Sequence, residues 1–281
     1  MFHKPVSGLA GIVLLLACAA APAQDFHVST QIFDLSGAGP AGKEPHRPKL
    51  VGFCESVFHA KKVYDYDDGS GQMTIFEPAH EQFVFIDGGR RIKTVVSFQY
   101  VEDRLFQIRK KAQAFLAAPA AAKAPRAAIG LLQFQLNPKF QESYDEKRNV
   151  LHMTSPFLSY EVKCASDATP AHIEAYLNYA DWAARLKCVT QSQSMLPEPR
   201  LAVNEALRRR QLLPIKVTLQ TDQQNGLNVQ AEHKFSWTLD GDNMAVIHHW
   251  DKQLEARDMK RVAPPQFFDQ PTASRKTDER R

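Results

Sequence analysis

The most regular stretch of the chain lies near its C-terminal end. Leu227, Val229, Ala231, His233, Phe235, Trp237 and Leu239 alternate with Asn228, Gln230, Glu232, Lys234, Ser236 and Thr238. Thirteen residues of unbroken period two predict a half-buried strand. Asp240-Gly241 predicts a two-residue hairpin turn. Met244, Val246, His248 and Trp250 then carry the alternation back as a return strand, with Phe235 facing Val246 and His233 facing His248. The hairpin before it is less regular. A two-residue turn at Asn225-Gly226 would set Thr218 against His233 and mismatch the faces. A loop of three or five residues, or a bulge, is expected there instead, so that Ile215, Val217 and Leu219 reach the apolar face.

The first third of the chain also reads as strands. Phe26, Val28, Thr30 and Ile32 alternate with polar residues, and Gly37 to Pro48 is a loop. Leu50 to His59 and Lys61 to Tyr66 follow, and Asp67 to Gly71 makes a turn. Met73 to Glu77 and Gln82 to Asp87 form a hairpin around Pro78 to Glu81. Its register places Ile75 against Val84 and Met73 against Ile86 on one face, and Phe76 against Phe83 and Thr74 against Phe85 on the other. Both faces are apolar, so this part of the sheet is expected to be covered on both sides or to line a cavity on one.

Three helices are predicted. Ser97 caps the first, which runs to about Leu116 with Val101, Leu105, Ile108, Ala112 and Phe115 in one stripe. Thr169-Pro170 opens the second, which runs to about Lys187 and is apolar around most of its circumference. The third covers about Pro199 to Arg210. Residues 117–128, rich in Ala and Pro, read as a long mobile loop within one domain. Leu132, Phe134 and Leu136 read as a strand, Phe140 to Tyr144 and Val150 to Thr154 as a hairpin, and Leu158, Tyr160 and Val162 as another strand. The tail, 263–281, is Pro-rich and then charged, and is expected to be disordered. The order of elements predicts an α+β fold dominated by antiparallel hairpins.

Composition narrows the class. Hydrophobic residues make up 44% of the 281, and seventeen Phe suffice for a large core. The net charge of +4 is too small for a dedicated nucleic-acid binder. Leu9 to Cys18 is an apolar h-region behind His3 and Lys4, and Ala21-Pro22-Ala23 is an A-x-A-like cleavage site. Residues 1–23 therefore read as a signal peptide, followed by a single domain over 24–262. Leu15-Leu16-Ala17-Cys18 also resembles a bacterial lipobox, in which Cys18 would be lipidated. The mature chain is thus expected to be exported, periplasmic or secreted, or else lipid-anchored through Cys18. No later apolar run approaches the ~20 residues of a transmembrane helix.

Export permits disulfides, and Cys164 and Cys188, at the ends of a strand and the next helix, form a reasonable pair. Cys54 is left over, read as a small buried apolar side chain. The expected His233–His248 pair is a weak metal candidate, since two imidazoles without a third ligand do not make a zinc site. The competing reading is two hydrogen-bonded histidines near a sheet edge. Asp65, Asp67 and Asp68 precede Gly69, but position twelve of a calcium loop would be Phe76, so they read as a solvated turn. His80-Glu81 lacks the second histidine of a zinc protease, and neither a G-x-S-x-G elbow nor a phosphate-binding glycine loop occurs. No catalytic set and no cofactor are expected.

Lys61-Lys62-Val63-Tyr64-Asp65-Tyr66 and Met73-Thr74-Ile75-Phe76-Glu77-Pro78 resemble the paired strands, with a tyrosine and a strand-ending proline, of the outer-membrane lipoprotein-sorting carriers and their mycobacterial lipoprotein relatives. The resemblance implies a curved antiparallel half-barrel with amphipathic helices on its concave face, binding acyl chains between the two. No functional residue carries over from it, and the Ala/Pro insertion and extra cysteines depart from the pattern. The apolar pattern leads separately to the same expectation. Phe76, Phe83, Phe85, Phe235 and Trp237 are the candidate cavity lining, with Val101, Leu105 and Ile108 on the underside of a helical lid. The expected function is binding or carrying a lipid or lipoprotein acyl chain, with an envelope protein as a further candidate partner. A structural or interaction module of the envelope is the alternative, and a metal-dependent hydrolase using His233 and His248 ranks third.

Overall fold

A computed structural model describes residues 25–36, 48–67, 71–165, 168–191, 194–221 and 226–268. The leader, with Cys18 and the A-x-A site, lies outside them, as do residues 37–47 and the end of the tail. The chain forms one open, mostly antiparallel sheet of twelve strands, with six α-helices among the described residues. The strands are β1 (Phe26–Asp34), β2 (Lys49–His59), β3 (Lys62–Tyr66), β4 (Gln72–Glu77), β5 (Gln82–Asp87), β6 (Ile92–Ser97), β7 (Gln141–Asp145), β8 (Val150–Thr154), β9 (Leu158–Ala165), β10 (Leu213–Thr221), β11 (Asn228–Ser236) and β12 (Lys260–Arg261). Across the sheet they run β12-β6-β5-β4-β3-β2-β1-β11-β10-β9-β8-β7, so β11 closes onto β1 at the centre. β12 pairs parallel to β6.

The helices are α1 (Phe98–Ala117), α2 (Arg126–Leu136), α3 (Pro170–Thr190), α4 (Glu198–Arg210), α5 (Gly241–Glu255) and α6 (Pro264–Phe268). Ser97 caps α1 by accepting from the Tyr100 amide, and Thr169 caps α3 by accepting from the His172 amide. The β4–β5 register matches the expected one, with Ile75 opposite Val84 and Phe76 opposite Phe83. Alternate residues of these strands enter two separate apolar clusters. Phe58, Val63, Phe76, Phe83 and Phe85 join side chains of α1, α3 and α4. Val57, Tyr64, Met73, Ile75, Val84 and Ile86 join Ile247 and Trp250 of α5. Successive strand residues point to opposite faces, so helices cover this part of the sheet on both sides.

Four expectations are corrected. First, residues 241–255 are a helix and not a return strand. The Asp240 carboxylate accepts from the Asn243 amide at 2.8 Å, and the Asn243 side chain accepts from the Asp240 amide at 3.2 Å, forming a capping box. The residues that α5 buries, Asn243, Ile247 and Trp250, follow helical spacing. The stripe Met244, Val246, His248 satisfies period two only by coincidence. Second, Leu132, Phe134 and Leu136 lie on α2. Residues 117–128 hold the end of α1, a 3₁₀ turn at Pro119–Lys123 and the first turn of α2. Alanine favours helix, and both prolines stand at helix starts, where they are tolerated. Third, Cys164 and Cys188 are free thiols. Burial explains both, and the Cys164 sulfhydryl donates to the Val162 carbonyl. Fourth, α6 occupies the start of the expected disordered tail because Phe267 is buried against Phe85, with ring centroids 5.8 Å apart.

The β10–β11 hairpin follows the expected correction of register. Val217 pairs with Ala231 and Leu219 with Val229, and the Thr221 amide donates to the Leu227 carbonyl. Five residues, 222–226, separate that last pair. On α2, a Cβ at Gly130 would overlap the Phe157 ring, which packs directly on the helix backbone there.

Candidate functional site

The α1–α4 side of the sheet is not uniformly apolar. Asp65 of β3 pairs with Ser56 of β2, and the Ser56 hydroxyl donates to the Asp65 carboxylate at 2.5 Å. One row further along, Thr30 of β1 pairs with both Cys54 of β2 and His233 of β11. The side chains follow that row. Thr30 Oγ1 lies 2.9 Å from His233 Nδ1, and Thr30 also hydrogen-bonds Cys54. From above, α3 contributes two tyrosines three residues apart, on one side of the helix. The Tyr176 hydroxyl lies 3.3 Å from His233 Nε2, and Tyr179 hydrogen-bonds Asp65. A polar seam thus crosses four central strands beneath α3.

Burial controls the ionisation of this seam. It pushes the Cys54 thiol up to about 12, with the Asp65 charge adding to the effect. It pushes the Tyr176 phenol up to about 12 and raises Tyr179 well above the ordinary range. It also raises Asp65, although the Ser56 and Tyr179 hydroxyls pull the other way. His233 falls to about 3, by burial first and by the Arg200 charge second. Thiol and imidazole are therefore both neutral near pH 7. A protonated thiol is a poor nucleophile, so Cys54 and His233 do not form an activated pair in this state.

The seam is crowded without being sealed. Cys54, Asp65, Tyr179 and His233 all keep accessible surface despite their desolvation. Beyond it, toward the β10–β11 hairpin, the same side of the sheet continues as Ile32, Leu219, Val229 and Ala231, all half-buried. At that end of the strands Leu50 and Leu227 are 51% and 47% exposed.

The expected lining residues divide between two environments. Phe76, Phe83, Phe85, Val101 and Leu105 are buried in one core. There Phe76 and Phe83 meet Phe98, which stacks on Trp182 with centroids 3.6 Å apart. Ile108, Phe235 and Trp237 stand half-buried at its margin. Trp237 stacks on His172 at 4.5 Å and on Phe235 at 5.4 Å. The expected His233–His248 pair does not exist, because His248 is exposed on α5 while His233 belongs to the seam. No group of three or more ligating side chains occurs among the described residues.

Asp65, Ser56, Tyr179 and Arg200 escape the sequence reading as site residues. Asp65 shares the parity of Val63, and an acid at an apolar-face position was the available signal. No protein-family model matches the chain, and no curated protein is significantly similar to it. No helix among the described residues is long and apolar enough to cross a membrane.

Proposed function

We propose that this chain is a non-enzymatic exported protein that binds a lipid or acyl chain between the central strands and the helices above them. In this reading the sheet bends toward α1–α4 as a half-barrel, as in the lipoprotein-sorting carriers. The observation that carries the reading is the combination of a desolvated but accessible seam under α3 with an apolar floor continuing toward exposed Leu227. Apolar walls that do not meet forfeit dispersion contacts, and an acyl chain restores them. Ile108, Phe235 and Trp237 then line the entrance, and the packed phenylalanines form a rigid wall. The mature protein works in the periplasm or outside the cell, either free or anchored through Cys18, and needs no cofactor.

The test is titration with cis-parinaric acid, which fluoresces on entering an apolar site. Saturable enhancement is expected. Ala231→Trp, which fills the floor opposite Ile32 and Val217, is expected to weaken it at least tenfold with an unchanged far-ultraviolet circular dichroism spectrum. No saturable signal from the wild type would contradict lipid binding. It would favour a structural or interaction module of the envelope, the reading that the tight Phe98–Trp182 stack supports.

A further inference from the structure

Arg200 differs from the other arginines of α4. Arg208 bonds Glu174 and Asp181, and Arg209 and Arg210 share Glu142. Among the described residues no carboxylate pairs with Arg200. Its side chain instead hydrogen-bonds Tyr176, whose hydroxyl lies 3.3 Å from His233 Nε2. Its charge is also felt by Tyr160 of β9 and by His233 itself. Tyr160 pairs with Leu219, and His233 stands one alternation from Ala231. These residues place the guanidinium where the polar seam meets the apolar floor. A half-buried cation there, beside hydroxyls and a neutral imidazole, has no carboxylate partner among the described residues. Guanidinium binds oxyanions through paired N–H donors, and a phenol supplies a further one.

We infer that Arg200, with the Tyr176 hydroxyl that His233 orients, holds the oxyanion at the head of an acyl ligand whose chain lies along Ile32, Leu219, Val229 and Ala231. The inference rests on the lipid reading and names its ligand class: a single-chain anionic amphiphile, either a fatty-acid carboxylate or a lysophospholipid phosphate. The chain enters tail-first along the floor, and the headgroup stops at α4.

The experiment measures binding of three probes to the full mature chain by displacement of a neutral fluorescent lipid: palmitate, palmitoyl lysophosphatidic acid and methyl palmitate. The wild type is expected to bind at least one of the two anions about tenfold or more tighter than the ester, as befits a charge-assisted contact. The anion preferred identifies the source of the headgroup. Arg200→Gln is expected to abolish that preference by weakening the anion far more than the ester, and Arg200→Lys to retain part of it. Equal binding of acid and ester by the wild type would overturn the headgroup site and leave the lipid reading standing. So would equal loss of both in Arg200→Gln. Binding of none of the three by the wild type would overturn both. The acid–ester comparison in the wild type needs no variant, so it decides the matter even if Arg200→Gln fails to fold.

Discussion

His233 sits where a charge is least welcome. It accepts or donates to the Thr30 and Tyr176 hydroxyls, and the Arg200 guanidinium is close enough to oppose its protonation. Its pKa falls to about 3, against an ordinary value of 6.5. The unfolded chain therefore binds a proton at a higher pH than the folded one. The stability this histidine contributes is complete above about 6.5 and is lost progressively as pH falls toward 3. His233→Gln keeps polar contacts without titrating. Thermal melts between pH 7 and pH 4 are expected to show a smaller loss of Tm for this variant than for the wild type; parallel losses would contradict the assignment. Asp65 shows the opposite linkage. Burial raises its pKa, so its contribution is largest at low pH and is lost as pH rises through the folded value. Asp65→Asn retains the seam's hydrogen bonding without a buried charge. It is expected to raise stability at pH 7 by about 1 kcal/mol, with the gain shrinking toward pH 4. Destabilisation at pH 7 in denaturant titrations would count against a buried, uncompensated carboxylate.

At the scale of elements, α5 depends on its first turn. The capping box at Asp240 and Asn243 satisfies amides that would otherwise lack partners, and it directs Ile247 and Trp250 onto the cluster with Tyr64 and Met73. The Tyr64 hydroxyl also donates to Asp251 across that contact. Asp240→Ala is expected to cost about 1 kcal/mol by chemical denaturation, with hydrogen exchange accelerating in 241–255 before the rest of the chain. Uniform exchange changes would contradict a local cap. This element also marks where pattern reading stops. The β4–β5 register was legible because the short connection at Pro78–Glu81 sets which residues stand opposite each other, and a one-residue slip would exchange the faces. The five-residue β10–β11 loop was legible from that same exchange of faces. Residues 240–250 satisfied both periods, and Asp240-Gly241 suits a hairpin turn as well as a helix start. Only tertiary burial of Asn243, Ile247 and Trp250 decides between them. In the site, the apolar members could be read from alternation. The polar seam could not, because it is assembled across β3, β2, β1 and β11 and depends on a pairing between residues 203 positions apart, Thr30 with His233.

As a whole molecule, the protein is a wide sheet whose edges are short or charged. One edge is the two-residue β12, Lys260–Arg261, and the other is β7, with Gln141 and Glu142 leading into Tyr144 and Asp145. Such edges resist pairing with another chain. The centre carries the seam, the apolar floor and the surrounding helices, the features on which the proposed container for an amphiphile rests. Whether this interior carries cargo can be read by native mass spectrometry of the protein purified from an exporting bacterial host, before and after organic extraction. Discrete adducts of lipid mass are expected on the folded protein, disappearing on extraction and recovered as single-chain anionic lipids. A single adduct-free mass, unchanged by extraction and by prior incubation with palmitate, would contradict cargo binding.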